Sequence, residues 1–380
     1  MNTYAAVMTG KGTGAIATIQ ICGDEAKSII EKIFRPAVEL QVGKIYVGTI
    51  DNNDKTIDQV TIGCLDDETV AINCHGNPLI VEQICQVLQS EGVELITTEE
   101  LIARTDTSGN TIALEAKLAL PGVKTIEGTQ IILNQTNSGL TAVAKKWLKG
   151  TQEQIAVEAK KIIEASQIVK LIIYGCKMVL AGPPNSGKST LLNRLAGREK
   201  AIVTNIRGTT RDWVSAECKI GELAVEMIDT AGHDETFVND TDQAAQQGAI
   251  NIINQADLIL LVLDNSESIE QISGSLIKII EGKKFLTIIN KSDLPPLLDI
   301  TKLPGNLGSN IVKISALSGT GIDELAEKVS EITGVKNFDM SQPVCFTSRQ
   351  EGLLKKIAEA KSKETAQSLI TELLSGPADV

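Results

Sequence analysis

Short apolar runs alternate with amphipathic segments through the middle of the chain. The runs KMVLAG, LAVEMIDT, LILLVLD, KFLTIIN and IVKIS have the length of buried strands, and helical spacing of apolar residues falls between most of them. Alternation of this kind is typical of a mostly parallel sheet whose strands are buried on both faces. The pattern therefore predicts an α/β domain over residues 173–336.

The flanking segments have different patterns. Residues 1–120 contain short β-rich runs separated by turns (AIATIQIC, KIYVGTI, VTIGCL, TVAINC) and one helical pattern, IVEQICQVLQSEG. From residue 121 to 172, and again after residue 340, apolar residues recur at helical spacing opposite Lys, Glu and Gln. We predict a small α+β N-terminal domain at 1–120 and a helical domain at 121–172 plus 337–380, into which the α/β domain is inserted.

Composition and charge narrow the class of protein. Aromatic residues make up only 3% of the 380 residues, so Ile, Leu, Val and Ala must fill the cores. The formal net charge of −12 argues against a general nucleic-acid coat protein, because phosphate backbones require clustered Lys and Arg. Any contact with RNA must therefore be local or be supplied by a partner.

The cysteines and the length of the apolar runs indicate where in the cell the protein is located. Seven scattered cysteines without a CxxC pair are typical of reduced thiols that pack as small core residues. The first residues, MNTYAAVMTGKGTG, lack the basic start and apolar run of a signal peptide, and the longest apolar stretch is too short to span a bilayer. These features predict a cytoplasmic protein that does not contact the membrane.

A glycine-rich motif follows the first strand of the predicted α/β domain. The segment Gly182-Pro-Pro-Asn-Ser-Gly187-Lys188-Ser189 fits the pattern G-x-x-x-x-G-K-[ST], between KMVLA and the helix STLLNRLAG. Backbone N–H groups of such a loop cradle phosphate, its lysine reaches the β- and γ-phosphates, and its serine hydroxyl ligates Mg²⁺. A chance glycine-rich turn is the alternative, which the flanking strand and helix disfavour. The residues assigned to the phosphates are Asn185, Ser186, Gly187, Lys188, Ser189 and Thr190.

A second motif ends the strand LAVEMI. It is Asp229-Thr230-Ala231-Gly232, in which Asp229 would hold Mg²⁺ through water and the Gly232 N–H would sense the γ-phosphate. Such a motif occurs often by chance. Its position downstream of a phosphate loop, at the tip of a strand, makes it significant.

Two further motifs point to the base. Asn290-Lys291-Ser292-Asp293 follows KFLTII, and the Asp293 carboxylate would accept hydrogen bonds from N1–H and N2–H of guanine, a pattern that adenine lacks. Ser315-Ala316 follows IVKI and would supply a backbone N–H to guanine O6. The order and spacing of the motifs predict a site for GTP and GDP with Mg²⁺, and hydrolysis of GTP.

The segment between the phosphate loop and DTAG contains TNIRGTTRD. A threonine here would close over the γ-phosphate and complete the Mg²⁺ shell, as in switch loops generally. An exposed loop with a turn at Gly208 is the structural alternative. The residues assigned to this loop are Thr204, Asn205, Ile206, Arg207, Gly208, Thr209 and Thr210.

These stretches together carry a family resemblance. The segment AGPPNSGKSTLLNRLAGREKAIVTNIRGTTRDWV, followed by MIDTAGHDE and INQADLILLVLD, resembles the MnmE/TrmE family of tRNA-modification GTPases. The N-terminal GKGTGAIATIQICG, IDQV and NCHGNP are similar to that family's N-terminal domain. The resemblance implies a P-loop GTPase domain inserted in a helical domain, after a small domain that dimerises and holds 5-formyl-tetrahydrofolate.

The resemblance also implies how hydrolysis is stimulated. In the family, two GTPase domains pair across a K⁺ ion that stands where other GTPases place an arginine finger. This pairing implies a homodimer. The family acts with an FAD-dependent partner on the wobble uridine of certain tRNAs, so the resemblance also implies such a partner and, given the net charge, local tRNA contacts. The implied metal ligands are Asn185, Thr204, Ile206 and Thr209 for K⁺, and Ser189 and Thr210 for Mg²⁺.

The sequence departs from the family's folate-site pattern. Gln20 stands where the resemblance implies an arginine, Ala71 stands where it implies an acidic residue, and Lys117 matches the implied lysine. The family's Cys-Ile-Gly-Lys tail has no counterpart in ELLSGPADV, and the helical segments are shorter. We therefore expect that 5-formyl-tetrahydrofolate does not bind with useful affinity, and that Cys22 and Cys74 are buried core thiols.

The two histidines have open assignments. His75, in NCHGNP, is either a ligand contact or a turn histidine satisfied by backbone groups, and we favour the turn. His233 follows DTAG and could orient the attacking water, as a histidine does in elongation-factor GTPases. The family's own water-orienting glutamate corresponds best to Asp242, which we favour together with Lys188 as the catalytic residues.

Two functions remain open on the sequence alone. One is a K⁺-stimulated, dimerisation-dependent GTPase that takes part in wobble-uridine modification. The other is a GTPase switch or assembly factor that has lost the modification chemistry. The resemblance favours the first, whereas the departure from the family's tail favours the second, and we expect a GTPase of this family in the tRNA-modification pathway.

Overall fold

The computed structural model describes residues 3–10, 12–52, 55–197, 203–206, 213–229 and 251–378. The chain forms two compact units, one from Met1–Leu118 with Ser375–Val380 and the other from Ala119–Leu374. No helix in the described ranges is both long and apolar enough to cross a membrane.

The first unit is built on a mixed sheet. Its strands are β1 (Tyr4–Val7), β2 (Ile16–Cys22), β3 (Phe34–Arg35), β4 (Ile45–Asn52), β5 (Lys55–Cys64), β6 (Thr69–His75) and β7 (Glu94–Leu95). Their order is β3-β4-β5-β6-β2-β1-β7, and the pairs are antiparallel apart from β1 with β7. The four runs predicted as strands are confirmed as β2, β4, β5 and β6.

Helices pack on both faces of this sheet. They are α1 (Ala26–Ile33), α2 (Pro78–Ser90), α3 (Thr98–Thr105) and α4 (Thr111–Ala119). Helices α1 and α2 share the core of one face, whereas Leu101 of α3 packs against Ala6 and Cys22 on the other. Residues 17, 19 and 21 of β2 share a buried core with apolar residues of α1 and α2, whereas Thr18 and Gln20 point to the opposite, half-buried face. On that face Gln20 lies opposite Ala71, and the Thr18 hydroxyl donates to Asn73 Oδ1 at 2.8 Å.

The second unit begins and ends with helices. These are α5 (Ile126–Gln135), α6 (Leu140–Trp147) and α7 (Gln152–Tyr174), then α11 (Ser348–Glu359) and α12 (Lys363–Ser375). The two segments are joined by hydrogen bonds: Tyr174 Oη donates to the Phe346 carbonyl at 2.6 Å, and the Ser166 hydroxyl accepts the Cys345 N–H at 2.8 Å. Residues distant in sequence therefore form one helical layer.

The helical pattern predicted after residue 340 is confirmed, and it is interrupted between α11 and α12. The chain becomes extended at Ala360, and the Ser362 hydroxyl accepts the Thr365 N–H at 3.2 Å, which caps a new helix. Two shorter helices result because a serine competes well for the N-terminal position of a helix.

A second sheet occupies the middle of this unit. Its strands are β8 (Cys176–Ala181), β9 (Val203–Ile206), β10 (Trp213–Ile220), β11 (Leu223–Asp229), β12 (Leu258–Asp264), β13 (Phe285–Asn290) and β14 (Ile311–Lys313). The order is β14-β13-β12-β8-β11-β10-β9, with β8 and β11 to β14 parallel and β9 and β10 antiparallel. The helices between these strands are α8 (Lys188–Ala196), α9 (Gly274–Ile280) and α10 (Ile322–Thr333), and residues 251–255 are also helical.

Burial in this sheet follows the sequence pattern. Every residue of β12 and β13 is buried, as the continuous apolar runs predict for central parallel strands. The five predicted strands and the α/β class are confirmed. The antiparallel strands β9 and β10 were not predicted. Residues 214–220 of β10 mix buried and exposed positions without a long apolar run.

Candidate nucleotide-binding site

The phosphate loop connects β8 to α8. Gly182 has φ +148°, and a Cβ there would lie 2.1 Å from the Val262 carbonyl oxygen. Gly187 has φ +94°, and a Cβ there would lie 2.2 Å from Asn290 Nδ2. Both positions therefore require glycine, for backbone conformation and for space. Asn185, at φ +61°, is exposed on the same loop.

Lys188 is the most buried cation of this loop. Lys188 is only 3% exposed, and its Nζ donates to the carbonyls of Gly182 at 2.9 Å and Pro183 at 2.8 Å. Ser186 is fully buried, and among the described residues its Oγ has no hydrogen-bond partner. A buried ammonium, an orphaned hydroxyl and a glycine cradle at a helix N-terminus fit a polyphosphate.

The loop meets the end of β11 through two oxygen-bearing side chains. The Ser189 hydroxyl donates to Asp229 Oδ2 at 2.6 Å, and Asp229 is buried at the last position of the strand. A hydroxyl and a carboxylate are the hard oxygen donors that Mg²⁺ prefers. The two residues predicted to serve Mg²⁺ from different motifs therefore lie side by side.

Asn290 connects the phosphate loop to the two base motifs. This buried residue ends β13; its Nδ2 donates to the Ser186 carbonyl at 2.9 Å, and its Oδ1 accepts the Ala316 N–H at 2.9 Å. The Ala316 N–H assigned to guanine O6 thus already has an acceptor, which O6 would share or replace. Sequence reasoning assigned Asn290 to the nucleotide but gave it no bridging role.

Lys291 is held in a strained conformation. Its φ is +60°, and its Nζ lies 2.5 Å from Oδ2 of Asp264, a buried carboxylate at the end of β12. Burial opposes ionisation of Asp264, but hydrogen bonds from Lys291 and Ser266 outweigh burial and hold its pKa below the usual range. Sequence reasoning missed Asp264, although an acidic residue directly after LILLVL at the same sheet edge was a usable signal.

The remaining base residues lie on two loops at this edge. Asp293 is exposed, three residues after Asn290. Ser315 and Ala316 are buried in the loop after β14. There the Ser315 carbonyl accepts the Gly319 N–H at 2.7 Å, and the Ser315 N–H donates to the Thr320 carbonyl at 3.0 Å. The phosphate, Mg²⁺ and base motifs are therefore brought to the ends of β8, β11, β13 and β14.

The predicted switch loop is described in part. Thr204, Asn205 and Ile206 belong to strand β9, where they pair with Ser215, Val214 and Trp213, so their assignment to a loop is corrected. The antiparallel ladder with β10 pairs their backbone groups on one side of this edge strand. The other predicted site residues lie outside the described residues: Arg207, Gly208, Thr209, Thr210, Thr230, Ala231, Gly232, His233 and Asp242.

His75, in the first unit, has a carboxylate partner. Its Nδ1 lies 2.7 Å from Oδ1 of the buried Asp58, its backbone N–H donates to Oδ2 at 2.8 Å, and its side chain is 67% exposed. We favoured a turn histidine whose partners are backbone groups. That interpretation is wrong, because the partner is the Asp58 carboxylate. Asp58, seventeen residues earlier on another strand, could not be paired with it from the sequence.

The folate-site candidates are either paired with another side chain, as Lys117 is, or buried, as Cys22 and Cys74 are. Lys117 Nζ lies 2.6 Å from Asp106 Oδ1. Cys22 and Cys74 are buried, as expected, and burial raises the pKa of Cys22 and raises that of Cys74 to about 11. Neither thiol is primed as a nucleophile, because a raised pKa keeps it protonated near neutral pH.

Comparisons with known proteins agree with this arrangement. Residues 177–291 match the family model described as 50S ribosome-binding GTPase, and residues 3–109 match that described as GTP-binding protein TrmE N-terminus. The tRNA modification GTPase MnmE of Enterococcus faecalis is 30% identical over 378 residues, covering 87% of this chain and 81% of the relative. That of Bacillus cereus is 29% identical over 399 residues, covering 93% and 87%.

Solved structures of GTPase domains are similar to part of the chain. The G domain of the T. maritima FeoB iron transporter is 29% identical, covers 41% of this chain and 98% of its own, and has a TM-score of 0.35.

Proposed function

The chain belongs to the family of the tRNA modification GTPase MnmE, and we propose that it couples GTP hydrolysis at the site around Lys188 to tRNA modification. One observation carries the assignment of the site: Asn290 bonds the Ser186 carbonyl and the Ala316 N–H, so the phosphate loop and the base loops form one unit. We also propose that 173–336 is a GTPase domain inserted between the helical segments 121–172 and 337–380, after an N-terminal domain at 1–120.

The proposed roles follow from charge and position. Lys188 would neutralise the phosphates, a role for which its burial in the loop is suited because a low dielectric strengthens the attraction. Asp293 would select guanine through N1–H and N2–H. Ser189 and Asp229 would hold Mg²⁺, which when bound neutralises charge that develops on the transferred phosphoryl group.

Potassium dependence is the first prediction. Asn185 is exposed on the phosphate loop, with a left-handed conformation that glycine adopts without strain. We propose that its amide helps to hold K⁺ and that GTPase domains pair around the ion. We expect turnover to be of the order of tenfold higher in KCl than in NaCl, which corresponds to about 1.4 kcal/mol of the activation barrier.

The control for this prediction separates the amide from the loop. Asn185→Gly removes the side chain and keeps the backbone conformation, so it should abolish the difference between KCl and NaCl. Asn193→Ala, at an exposed asparagine of α8, should retain the difference. Equal wild-type rates in both salts, with a monomer in the presence of GDP and aluminium fluoride, would remove the potassium proposal.

The attacking water has two candidate partners, His233 and Asp242. A residue that orients the water is needed for turnover but not for GTP binding. We expect Asp242→Ala to lose turnover and to retain GTP affinity, and His233→Leu to remain active. The opposite result would assign the water to His233.

A second candidate function is a switch that has lost the modification chemistry. Gln20 and Ala71 face each other across β2 and β6 without a charge between them, and the Lys117 amine is paired with Asp106. We expect calorimetric titration with 5-formyl-tetrahydrofolate to show no useful affinity, and micromolar binding would remove this candidate.

The cellular role needs a separate experiment. We propose that the chain acts as a homodimer with an FAD-dependent partner on the wobble uridine of certain tRNAs. Mass spectrometry of tRNA nucleosides from a strain that lacks the gene should show loss of a wobble-uridine modification. Unchanged wobble uridines would leave the switch as the function.

A further inference from the structure

Arg194 connects the phosphate-binding helix to the base-binding loop. It lies on α8, the helix that begins at Lys188, and its guanidinium is directed to the loop after β14. Nε donates to the Ala316 carbonyl at 2.9 Å, and Nη2 donates to the Leu317 carbonyl. A guanidinium presents donors in a fixed planar fork, so one side chain can hold two successive carbonyls.

The same loop is held from its other side by Asn290. The Ala316 N–H donates to Asn290 Oδ1, and Asn290 Nδ2 donates to the Ser186 carbonyl in the phosphate loop. The phosphate loop and the base-binding loop are therefore connected twice. One connection is through α8 and Arg194 to the Ala316 carbonyl, and the other is from the Ala316 N–H through Asn290 to the Ser186 carbonyl. Ala316 is held at both its N–H and its carbonyl.

Side-chain packing contributes little to the position of Leu317. The Leu317 side chain is 75% exposed, so burial of apolar area does not anchor it. Gly319, at φ +91°, would place a Cβ 3.6 Å from Arg194 Nη1, so the guanidinium lies along the loop rather than at its edge. The hydrogen bonds from Arg194 to the Ala316 and Leu317 carbonyls therefore hold the part of the loop that we propose contacts the base.

We propose that Arg194 is a positioning residue for guanine, which fixes the Ala316–Leu317 peptide relative to the phosphate helix and thereby slows nucleotide release. This inference rests on the proposed GTP site. It assigns to an arginine outside the four nucleotide motifs a role in how long GDP stays bound. The arginine acts through the loop and does not contact the reacting atoms.

The test measures release of a fluorescent GDP after a chase with excess GDP. Arg194→Ala should raise the dissociation rate constant about tenfold, because hydrogen bonds from a charged donor are lost. Arg194→Lys should give an intermediate rate, since one ammonium cannot hold both carbonyls in the same fork. The single-turnover rate of hydrolysis, which excludes product release, should not change.

A base analogue separates positioning from general loosening of the site. The diphosphate of 2-aminopurine riboside lacks the 6-oxo group, so it cannot use the Ala316 N–H. Arg194→Ala should accelerate its release much less than that of GDP. Equal acceleration of both nucleotides would mean that the arginine only stabilises the domain, and would overturn the inference.

A matched variant controls for the loss of an arginine–carbonyl contact. Arg349 donates to the carbonyls of Glu372 at 3.0 Å and Leu373 at 3.2 Å in the helical layer, so Arg349→Ala should leave GDP release unchanged. If the wild-type chain fails to bind GDP, the proposed function itself is wrong. If it binds GDP and Arg194→Ala releases it at the wild-type rate, only the role of Arg194 is wrong.

Discussion

Lys188→Ala should lower the turnover of GTP by about 10²–10³-fold, the effect expected when a preorganised charge is removed from a transition state. The ammonium is buried between carbonyls of its own loop, where the surroundings screen a phosphate charge less than water does. Phosphoryl transfer leaves little covalent chemistry to the protein, so placed positive charge accounts for much of the rate.

Two measurements keep this result interpretable. Thermal unfolding of Lys188→Ala should show a folded protein, and Lys177→Ala, at a partly exposed lysine on β8, should retain turnover. Turnover of Lys188→Ala within a few-fold of wild type would show that the ammonium does not act on the phosphates.

Asp293→Asn should lower GTP affinity by about 1–3 kcal/mol, because an amide offers one acceptor where the carboxylate accepts two N–H groups. The same change should improve binding of xanthosine triphosphate, whose 2-oxo group can accept from the new amide N–H. The effect should appear in affinity and not in the single-turnover rate, since the role proposed for Asp293 is to bind the base.

The matched control is Asp299→Asn on the same exposed segment. The Asp299 carboxylate accepts hydrogen bonds from Thr301, at 3.1 Å from N and 2.6 Å from Oγ1, and belongs to no nucleotide motif. Its variant should bind GTP as the wild type does. An Asp293→Asn protein with wild-type affinity and no gain toward xanthosine triphosphate would contradict the base assignment.

The parallel part of the second sheet could be predicted because its chemistry is local. Strands such as LILLVLD are continuously apolar, and glycines 182 and 187 stand where the loop closely approaches the Val262 backbone and the Asn290 side chain, respectively. Motif residues that follow neighbouring parallel strands meet at one sheet edge, so the contact between Ser189 and Asp229 follows from topology.

The features that were not predicted depend on partners distant in sequence. Strand β10 has a mixed pattern that becomes interpretable only once it pairs with β11, and Asp58 reaches His75 across a sheet register. Arg194 is one basic residue among several on an amphipathic helix. The role proposed for it depends on carbonyls more than a hundred residues later, which no local spacing indicates.

The central claim, that this chain is a GTP hydrolase with the site described around Lys188 and Asn290, is tested most directly by phosphate release. Wild-type protein and Lys188→Ala are compared with GTP and with ATP, in the presence of Mg²⁺ and KCl. The account predicts phosphate release from GTP by the wild type, little from ATP, and loss of the GTP activity in Lys188→Ala. Equal release from both nucleotides, or GTP activity that survives in Lys188→Ala, would contradict it.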